Sequence, residues 1–119
     1  MDQSITNAQD FIGKVVTVTM DRQLGTLHPK HGFEYPVNYG YIQGTLSPDG
    51  EELDAYVLKV NKPLKTFTGV CVAVIQRTND DDDKLVVIAE GTEITDIEIR
   101  TQTHFQEKWF SSVIVRTST

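Results

Sequence analysis

Short apolar stretches rich in β-branched residues alternate with turn residues along this chain. Residues 14–20 alternate apolar and polar positions and are predicted to form a strand. Similar patterns predict further strands at residues 56–60, 69–77, 84–89 and 112–117. Residues 21–36 are rich in Gly and Pro and are predicted to be loop or hairpin, while residues 1–10 are expected to be a loose leader. This spacing of short strands and turns favours a barrel or sandwich over a parallel sheet.

One helix is predicted before the last strand. Thr95 followed three residues later by Glu98 is the pattern of a capping box. The apolar residues Ile99, Phe105 and Trp109 then follow a helical period, and the last two are expected to pack together on the barrel. The predicted fold is therefore a single domain over residues 1–119, mainly β with one C-terminal helix, built as a compact OB-like β-barrel.

Composition restricts the partners. The net charge of −6 disfavours nucleic acid and anionic membranes. No apolar run is long enough to span a bilayer, and the N-terminus has no pattern of a signal peptide. The single cysteine, Cys71, lies in an apolar run and is expected to be a buried small hydrophobe, so the chain forms no internal disulfide. These features predict a cytoplasmic protein.

Two acidic clusters stand out. The first contains Asp49, Glu51, Glu52 and Asp54, and the second runs over residues 80–83 immediately before a lysine. Carboxylate clusters repel one another unless a cation lies between them, and their oxygens suit Mg²⁺ or Mn²⁺. Gly50 permits a tight turn that lets the first cluster converge. No Cys/His spacing indicates zinc. The alternatives are a solvated turn for the first cluster and an exposed hairpin tip for the second.

Candidate phosphate-binding groups lie near these clusters. The phenols of Tyr35 and Tyr39 and the ammonium of Lys84 can donate hydrogen bonds to phosphate oxygens. Residues 28–31, with Lys30 among them, form the most basic local stretch, which could neutralise a phosphoryl group. The alternatives are core packing for the tyrosines and an ordinary polar loop for residues 28–31.

The pattern Y-P-x-N-Y-G-Y-I…T-L-x-x-D-G-x-x-L-D resembles the signature region of soluble, metal-dependent inorganic pyrophosphatases, a family built on an OB-like barrel. The resemblance extends over residues 35–88 and includes the acidic loop followed by Lys84. The family's acidic motif is D-x-D-x-x-D, and this chain has Glu51 at the middle position.

The resemblance implies a role for each matching residue. Asp49, Asp54 and Asp82 would hold Mg²⁺ (Mn²⁺ as the alternative), with Asp81 as a further candidate ligand. The implied catalytic set is Glu51 as general base together with Asp54, Lys84 and Tyr39. The implied substrate-binding residues are Tyr39, Lys84, Lys30, Tyr35 and Lys108. The implied activity is Mg²⁺-dependent hydrolysis of inorganic diphosphate, which is a small-molecule phosphate substrate. Self-association is also expected, because many family members form oligomers.

Several departures from the family pattern concern phosphate binding. The early strand lacks the family's Lys and Glu, and the family's phosphate-binding arginine is absent, so Lys30 or a histidine would replace it. Trp109 replaces the tyrosine of a terminal Tyr-Lys pair, which leaves Lys108 as the nearby charge. The chain is therefore predicted to be a short, reduced variant with a rebuilt phosphate-binding half. The alternatives are a hydrolase of a nucleoside or sugar diphosphate, and a non-catalytic phosphate-ligand binding module.

Overall fold

The computed structural model describes residues 4–117. Within that range the chain forms a short 3-10 helix at Ala8–Phe11, one α-helix and six strands. In chain order the elements are β1 (Val15–Arg22), β2 (Asn38–Ile42), β3 (Leu53–Val57), β4 (Thr66–Arg77), β5 (Lys84–Ile88), α1 (Asp96–Glu107) and β6 (Ser112–Val115).

Five of these strands close into a barrel. The order is β1-β2-β3-β5-β4, and pairing between β1 and β4 completes the ring. Strands β3 and β5 run parallel, whereas the other neighbours are antiparallel. Strand β6 pairs with β4 outside the ring. The expectation of a mainly β barrel with one helix near the C-terminus is confirmed.

Apart from Asp54 and Lys84, the side chains on both faces of β3 and β5 are apolar or aromatic, which explains their nearly continuous hydrophobic sequences. Ala55 and Leu85 lie in a core cluster with residues of β1, inside the barrel. Tyr56 and Val86, the next residues along, lie in a second cluster together with Ile99 of α1. The helix therefore covers the outer face of the barrel wall that carries Tyr56.

Strand β2 was not predicted from the sequence, because Asn38 and Gly40 are poor strand formers. The structure shows why glycine is needed there. A Cβ added to Gly40 would lie 2.0 Å from the carbonyl oxygen of Thr19 on β1, so only glycine permits this close backbone approach. Strand β3 also begins at Leu53, three residues before the predicted start.

Two packing predictions are wrong. The described part of the leader is anchored: the Thr6 N–H donates to the Leu46 carbonyl (2.8 Å), and Ala8 is buried in the core. Residues 1–3 of that leader lie outside the described residues. At the other end, α1 stops at Glu107, so Trp109 does not follow Phe105 on one helical face and remains 59% exposed. Phe105 itself packs against the outer core cluster, as expected.

The capping box is confirmed, with the Glu98 N–H donating to Thr95 Oγ1 (3.1 Å) and the Thr95 N–H donating to Glu98 Oε1 (2.9 Å). Cys71 is fully buried, as predicted, and burial raises the pKa of its thiol to about 11. Among residues 4–117, no helix has both the length and the apolar character required to cross a membrane.

Candidate active site

The parallel strands β3 and β5 place a carboxylate beside an ammonium group. Asp54 and Lys84 are register partners on these strands. The Lys84 Nζ lies 2.6 Å from Asp54 Oδ2 and 2.8 Å from Asp82 Oδ2, and the lysine side chain is only 2% exposed. A buried ammonium requires such partners, because an unpaired charge would carry a large desolvation penalty. Lys84 thus joins the two acidic segments that are separate in the sequence.

Tyr39 completes this group from β2. Its hydroxyl donates a hydrogen bond to Asp54 Oδ2 at 2.7 Å, and its ring centroid lies 5.4 Å from the Lys84 Nζ. Burial, and then the nearby Asp54 carboxylate, raise the pKa of Tyr39 well above its ordinary value. The phenol therefore remains protonated and acts as a hydrogen-bond donor near neutral pH.

A buried arginine, which sequence reasoning missed, supports the second acidic loop. Arg77 at the end of β4 donates to both oxygens of Glu107 at the end of α1, from Nε at 3.0 Å and from Nη2 at 2.7 Å. Its Nη1 lies 3.2 Å from Asp80 Oδ2 and 3.6 Å from Asp82 Oδ2. Burial opposes the charged guanidinium, but Glu107 and the two aspartates outweigh it and raise the pKa of Arg77. The sequence does show a basic residue at the end of an apolar strand. It does not show the partner of that residue, because Glu107 is thirty residues away on α1.

Further hydrogen bonds extend this network toward Tyr35. The Tyr56 hydroxyl donates to Glu107 Oε2 (2.6 Å) and accepts from Gln106 Nε2 (2.7 Å), and the Tyr35 hydroxyl donates to Gln106 Oε1 (3.3 Å). Among residues 4–117, every buried side-chain polar atom has a hydrogen-bond partner. A fully satisfied network of this kind holds its members in one arrangement.

These groups open onto a cavity of about 330 Å³. One group of lining side chains is polar and consists of Tyr39, Asp54, Arg77, Asp82, Lys84 and Gln106. The second group carries rings and consists of His28, His31, Phe33, Trp109 and Phe110. Below, "the cavity" means this space, and its second group of five side chains is called the aromatic wall.

A second space of about 310 Å³ adjoins it and is called the acidic groove. It is lined by Asp21, Tyr41, Asp49, Glu51, Glu52 and Asp54, so Asp54 borders both spaces. None of these described lining residues is basic. Gly50 adopts a φ of +88°, and the Glu51 N–H donates to Asp49 Oδ1 at 3.0 Å, which forms the tight turn expected from the sequence.

The structure brings most of the expected site residues together. The cavity is bordered by Tyr39, Asp54, Asp82 and Lys84. Asp49 and Glu51 line the adjoining acidic groove instead. Tyr35 lies behind Tyr39, with their ring centroids 5.9 Å apart.

Three expected residues lie apart from these spaces. Asp81 lines a different pocket, beside Ile5 and Asp83. Lys30 and Lys108 are both exposed and are not among the lining residues of the cavity or the acidic groove. The Lys108 Nζ lies 4.6 Å from the Trp109 ring centroid, so Lys108 is adjacent to the aromatic wall.

The donor set of the acidic groove suits a hard divalent cation, because it consists of carboxylate oxygens without a basic side chain among them. The carboxylates are nevertheless spread apart in this conformation: residues 4–117 contain no group of three or more His, Cys, Asp or Glu side chains close enough to hold a metal ion. Asp54 Oδ2 is engaged by Lys84 and Tyr39. The chemistry of the groove fits a metal, and metal binding would require its side chains to draw together.

The loop that carries the histidines is fixed by His28. Its Nδ1 accepts the backbone N–H groups of Lys30 (3.1 Å) and His31 (3.2 Å), and its own backbone N–H donates to the Phe33 carbonyl (2.8 Å). Loss of hydration, followed by the charge of His31, lowers the pKa of His28 below 6.5. Near neutral pH the ring is therefore uncharged, with its proton on Nε2.

Comparison with known proteins identifies the chain's relatives. The family model described as inorganic pyrophosphatase matches residues 12–114. The inorganic pyrophosphatase of Helicobacter pylori superposes with a TM-score of 0.65 at 16% identity, over 98% of this chain and 90% of that chain. The Ehrlichia chaffeensis enzyme has a TM-score of 0.65 at 16% identity, over 92% and 89% of the two chains. The Thermus thermophilus enzyme has a TM-score of 0.61 at 18% identity, over 98% and 88%. At these identities the structural likeness establishes the fold.

Proposed function

The chain belongs to the inorganic pyrophosphatase family, and from this premise we propose that it hydrolyses inorganic diphosphate in a Mg²⁺-dependent reaction, with Mn²⁺ as an alternative metal. The family supports hydrolysis of diphosphate by this chain. The proposal adds the metal, the residues of the site and a cytoplasmic location, which agrees with a single, buried cysteine.

One observation carries the assignment of the site: Lys84 and Tyr39 converge on Asp54 beside the acidic groove. Diphosphate needs hydrogen-bond donors and positive charge, whereas its hydrolysis also needs a hard cation and a base. The cavity offers the donors, and the acidic groove offers carboxylates for the cation and base. Asp54 is the residue that connects the two.

We assign the metal-holding role to Asp49, Asp54 and Asp82, with Asp81 as a further candidate from the neighbouring loop. When bound, Mg²⁺ lowers the pKa of a coordinated water and neutralises charge on the diphosphate. The acidity of the site supports this role: the cavity carries the carboxylates of Asp54 and Asp82 against the cations Lys84 and Arg77, and Asp54 is shared with four further acids in the groove. A free diphosphate anion would be repelled by that groove unless a cation accompanied it.

The chain's own side chains have distinct tasks in this proposal. Lys84 and Tyr39 donate hydrogen bonds to phosphate oxygens and exchange them for those now made to Asp54. Glu51, which is exposed in the acidic groove, accepts the proton of the attacking water. Arg77 is a positioning residue, since it holds Asp80 and Asp82 against the end of α1.

The remaining expected substrate-binding residues act at the margin of the cavity. Tyr35 supports Tyr39 from behind and is itself fixed by Gln106. Lys108 lies over Trp109 at the edge of the cavity, and Lys30 lies in the turn fixed by His28. Both lysines can reach phosphate only as exposed, long-chain cations, so we expect them to affect substrate capture more than turnover.

The proposal can be tested by measuring phosphate release from inorganic diphosphate with Mg²⁺, with Mn²⁺ and with a chelator. We expect release with either metal and none with the chelator. Tyr39→Phe removes one hydroxyl and is expected to lower kcat/KM by about tenfold, because a hydrogen bond to a charged group is lost. No metal-dependent release by the folded native chain would refute the proposal.

Self-association is part of the proposal as well. Strand β6 lies outside the closed barrel and pairs only with β4 among the described strands, and its Val113 is 48% exposed. An open strand edge with an exposed apolar side chain can pair with a second copy. Sedimentation velocity would show a species larger than the monomer, and Val113→Lys would reduce it; a monomer at all concentrations would exclude this part of the proposal.

A further inference from the structure

The aromatic wall is unusual for a cavity that holds only phosphate. His28 and His31 stack with ring centroids 4.7 Å apart, and His31 is nearly parallel to Phe33, with an interplanar angle of 5°. The Trp109 ring lies 6.4 Å from His31 and is 59% exposed. A large exposed aromatic ring beside a polar site offers a stacking surface to a ligand.

Inorganic diphosphate makes no use of such a surface, because it has no apolar or planar ring. Its oxygens require donors and cations, and the cavity supplies these at Lys84 and Tyr39. Hydrolysis of inorganic diphosphate therefore accounts for the polar lining of the cavity and leaves the aromatic wall unexplained.

The aromatic wall is held in place rather than loosely attached. The loop that carries the histidines is closed by the two backbone bonds to His28 Nδ1 and by the bond from the His28 N–H to the Phe33 carbonyl. On the helix side, the Phe110 ring centroid lies 3.6 Å from the guanidinium carbon of Arg77, which is itself fixed by Glu107. The rings of His28 and Phe110 therefore lose little conformational freedom when a ligand binds beside them.

The wall and the phosphate-binding groups border one continuous space. Its volume of about 330 Å³ falls at the lower end of pockets that take drug-sized ligands, larger than a diphosphate alone needs. A ligand that fills it must place anionic oxygens at Lys84 and a flat ring against the aromatic wall. A planar base meets this requirement better than a puckered sugar ring, because the whole face of the base can stack on an aromatic side chain.

We propose that the cavity binds nucleoside 5′-diphosphates, with the base against Trp109 and His31 and the diphosphate at Lys84. This inference rests on the proposed function, because it uses the same phosphate site. In the reaction, a water oxygen attacks the terminal phosphorus and the bond from that phosphorus to the bridging oxygen breaks. The bridging oxygen leaves with the nucleoside monophosphate. The water oxygen becomes part of orthophosphate with one of its protons, and the other proton passes to Glu51.

The test compares two ligands that differ in the nucleoside and in the one anionic oxygen that its ester bond occupies. Methylenediphosphonate and adenosine 5′-(α,β-methylene)diphosphate both resist cleavage at the bridging position, and their affinities can be measured by calorimetry with Mg²⁺. We expect the nucleoside analogue to bind about tenfold more tightly, the gain typical of a base stacked on one aromatic side chain. Trp109 is the only tryptophan in the chain, so its fluorescence should change with the nucleoside analogue and not with methylenediphosphonate.

Two variants sharpen the comparison. Trp109→Leu should reduce the ratio of the two affinities to about one, and His31→Ala should reduce it in part. Ile97→Ala serves as the control, because Ile97 is a 78% exposed apolar residue of α1 that lines neither the cavity nor the acidic groove. This control should retain the native ratio.

Equal affinity of the native chain for the two ligands would overturn the inference, as would a preference that survives in Trp109→Leu. Phosphate release from inorganic diphosphate, measured on the same preparation, separates the two proposals. Release without any preference for the nucleoside analogue would refute only this inference, whereas absence of release would refute the proposed function.

Discussion

The Lys84 ammonium lies between the carboxylates of Asp54 and Asp82, 2.6 Å from one and 2.8 Å from the other. A bound cation would act in the same way at this place, since the ammonium neutralises one acid from β3 and one from the loop between β4 and β5. The ammonium is buried, whereas the carboxylate side chains are 24% and 31% exposed. Lys84 is thus both an internal counter-ion and a candidate phosphate ligand.

Replacement of Lys84 should make the stability of the protein depend on Mg²⁺. Lys84→Met leaves the carboxylates of Asp54 and Asp82 without their shared cation, and we expect the free energy of unfolding to fall by about 2 kcal/mol. This loss is smaller than that for breaking a fully buried ion pair, because both carboxylates are partly exposed to solvent. Mg²⁺ can bridge the two acids and should raise the Tm of the variant more than that of the native chain. Thermal unfolding with Mg²⁺, and with NaCl at matched ionic strength as control, checks this. An equal Mg²⁺ effect on both proteins would contradict the counter-ion role.

The pair formed by Arg77 and Glu107 should be essential to the fold at the end of α1. Arg77→Met leaves Glu107 buried, with the Tyr56 hydroxyl as its remaining donor among residues 4–117, and we expect a loss of about 3–5 kcal/mol in the free energy of unfolding. The double variant Arg77→Met with Glu107→Leu removes both charges and should recover part of that loss. Urea unfolding of the three proteins measures the difference. A double variant as unstable as Arg77→Met would show that the buried charge of Glu107 does not cause the loss of stability.

The loop at His28 should loosen as the pH falls. The pKa of His28 in the folded chain lies below 6.5, so the unfolded chain binds a proton there more readily. The hydrogen bonds to the neutral His28 ring therefore contribute fully to stability above about pH 6.5. That contribution is lost as the pH falls through the folded pKa, because a protonated Nδ1 can no longer accept the backbone N–H groups of Lys30 and His31. An NMR titration of His28 in the folded chain and in urea should give the lower pKa in the folded chain. His28→Asn, which keeps an acceptor oxygen near Nδ1, should leave the loop insensitive to pH over this range; a folded pKa above the unfolded one would contradict this account.

Gly40 should tolerate no side chain. Gly40→Ala forces a Cβ against the Thr19 carbonyl and is expected to cost more than about 3 kcal/mol, because backbone must move to relieve the contact. Gly91→Ala is a matched control: its φ is +80°, and an added Cβ would meet no atom within 4 Å, so only backbone strain of about 1–2 kcal/mol is expected. Chemical unfolding would compare the two variants. Equal losses of unfolding free energy would mean that the close approach of β1 and β2 does not make Gly40 harder to replace than Gly91.

The sequence was sufficient for the features that depend on local pattern. The alternating apolar residues of β1, the capping box of α1 and the burial of Cys71 were all predicted, because each depends on neighbours in the chain. Strand β2 was missed because glycine and asparagine usually indicate a turn, and only the partner strand explains why glycine is required at position 40.

The site was predictable where side chains cluster in the sequence and not where they meet across the fold. The turn at Asp49 and Glu51 follows from Gly50, and the acidic loop before Lys84 is visible as a run of aspartates. The partnership of Arg77 with Glu107 joins β4 to α1, and no short pattern reveals it.

The same limit applies to the second acidic run and to the aromatic wall. A run of four aspartates does not say which of them points to the site, and the structure places Asp82 beside Lys84 while Asp81 lines another pocket. The wall combines a loop with the residues after α1, so it too emerged only in three dimensions.

In the proposed mechanism, Asp54 joins the phosphate-binding groups to the groove that would hold the metal. This role is tested by phosphate release from inorganic diphosphate with Mg²⁺, compared among the native chain, Asp54→Asn and Asp96→Asn. Asp96 begins α1, is 60% exposed and is paired with Arg116, and it serves as the control. We expect Mg²⁺-dependent release by the native chain and the control, and a loss of at least about 10²-fold in Asp54→Asn. Undiminished release by a folded Asp54→Asn variant would contradict this role.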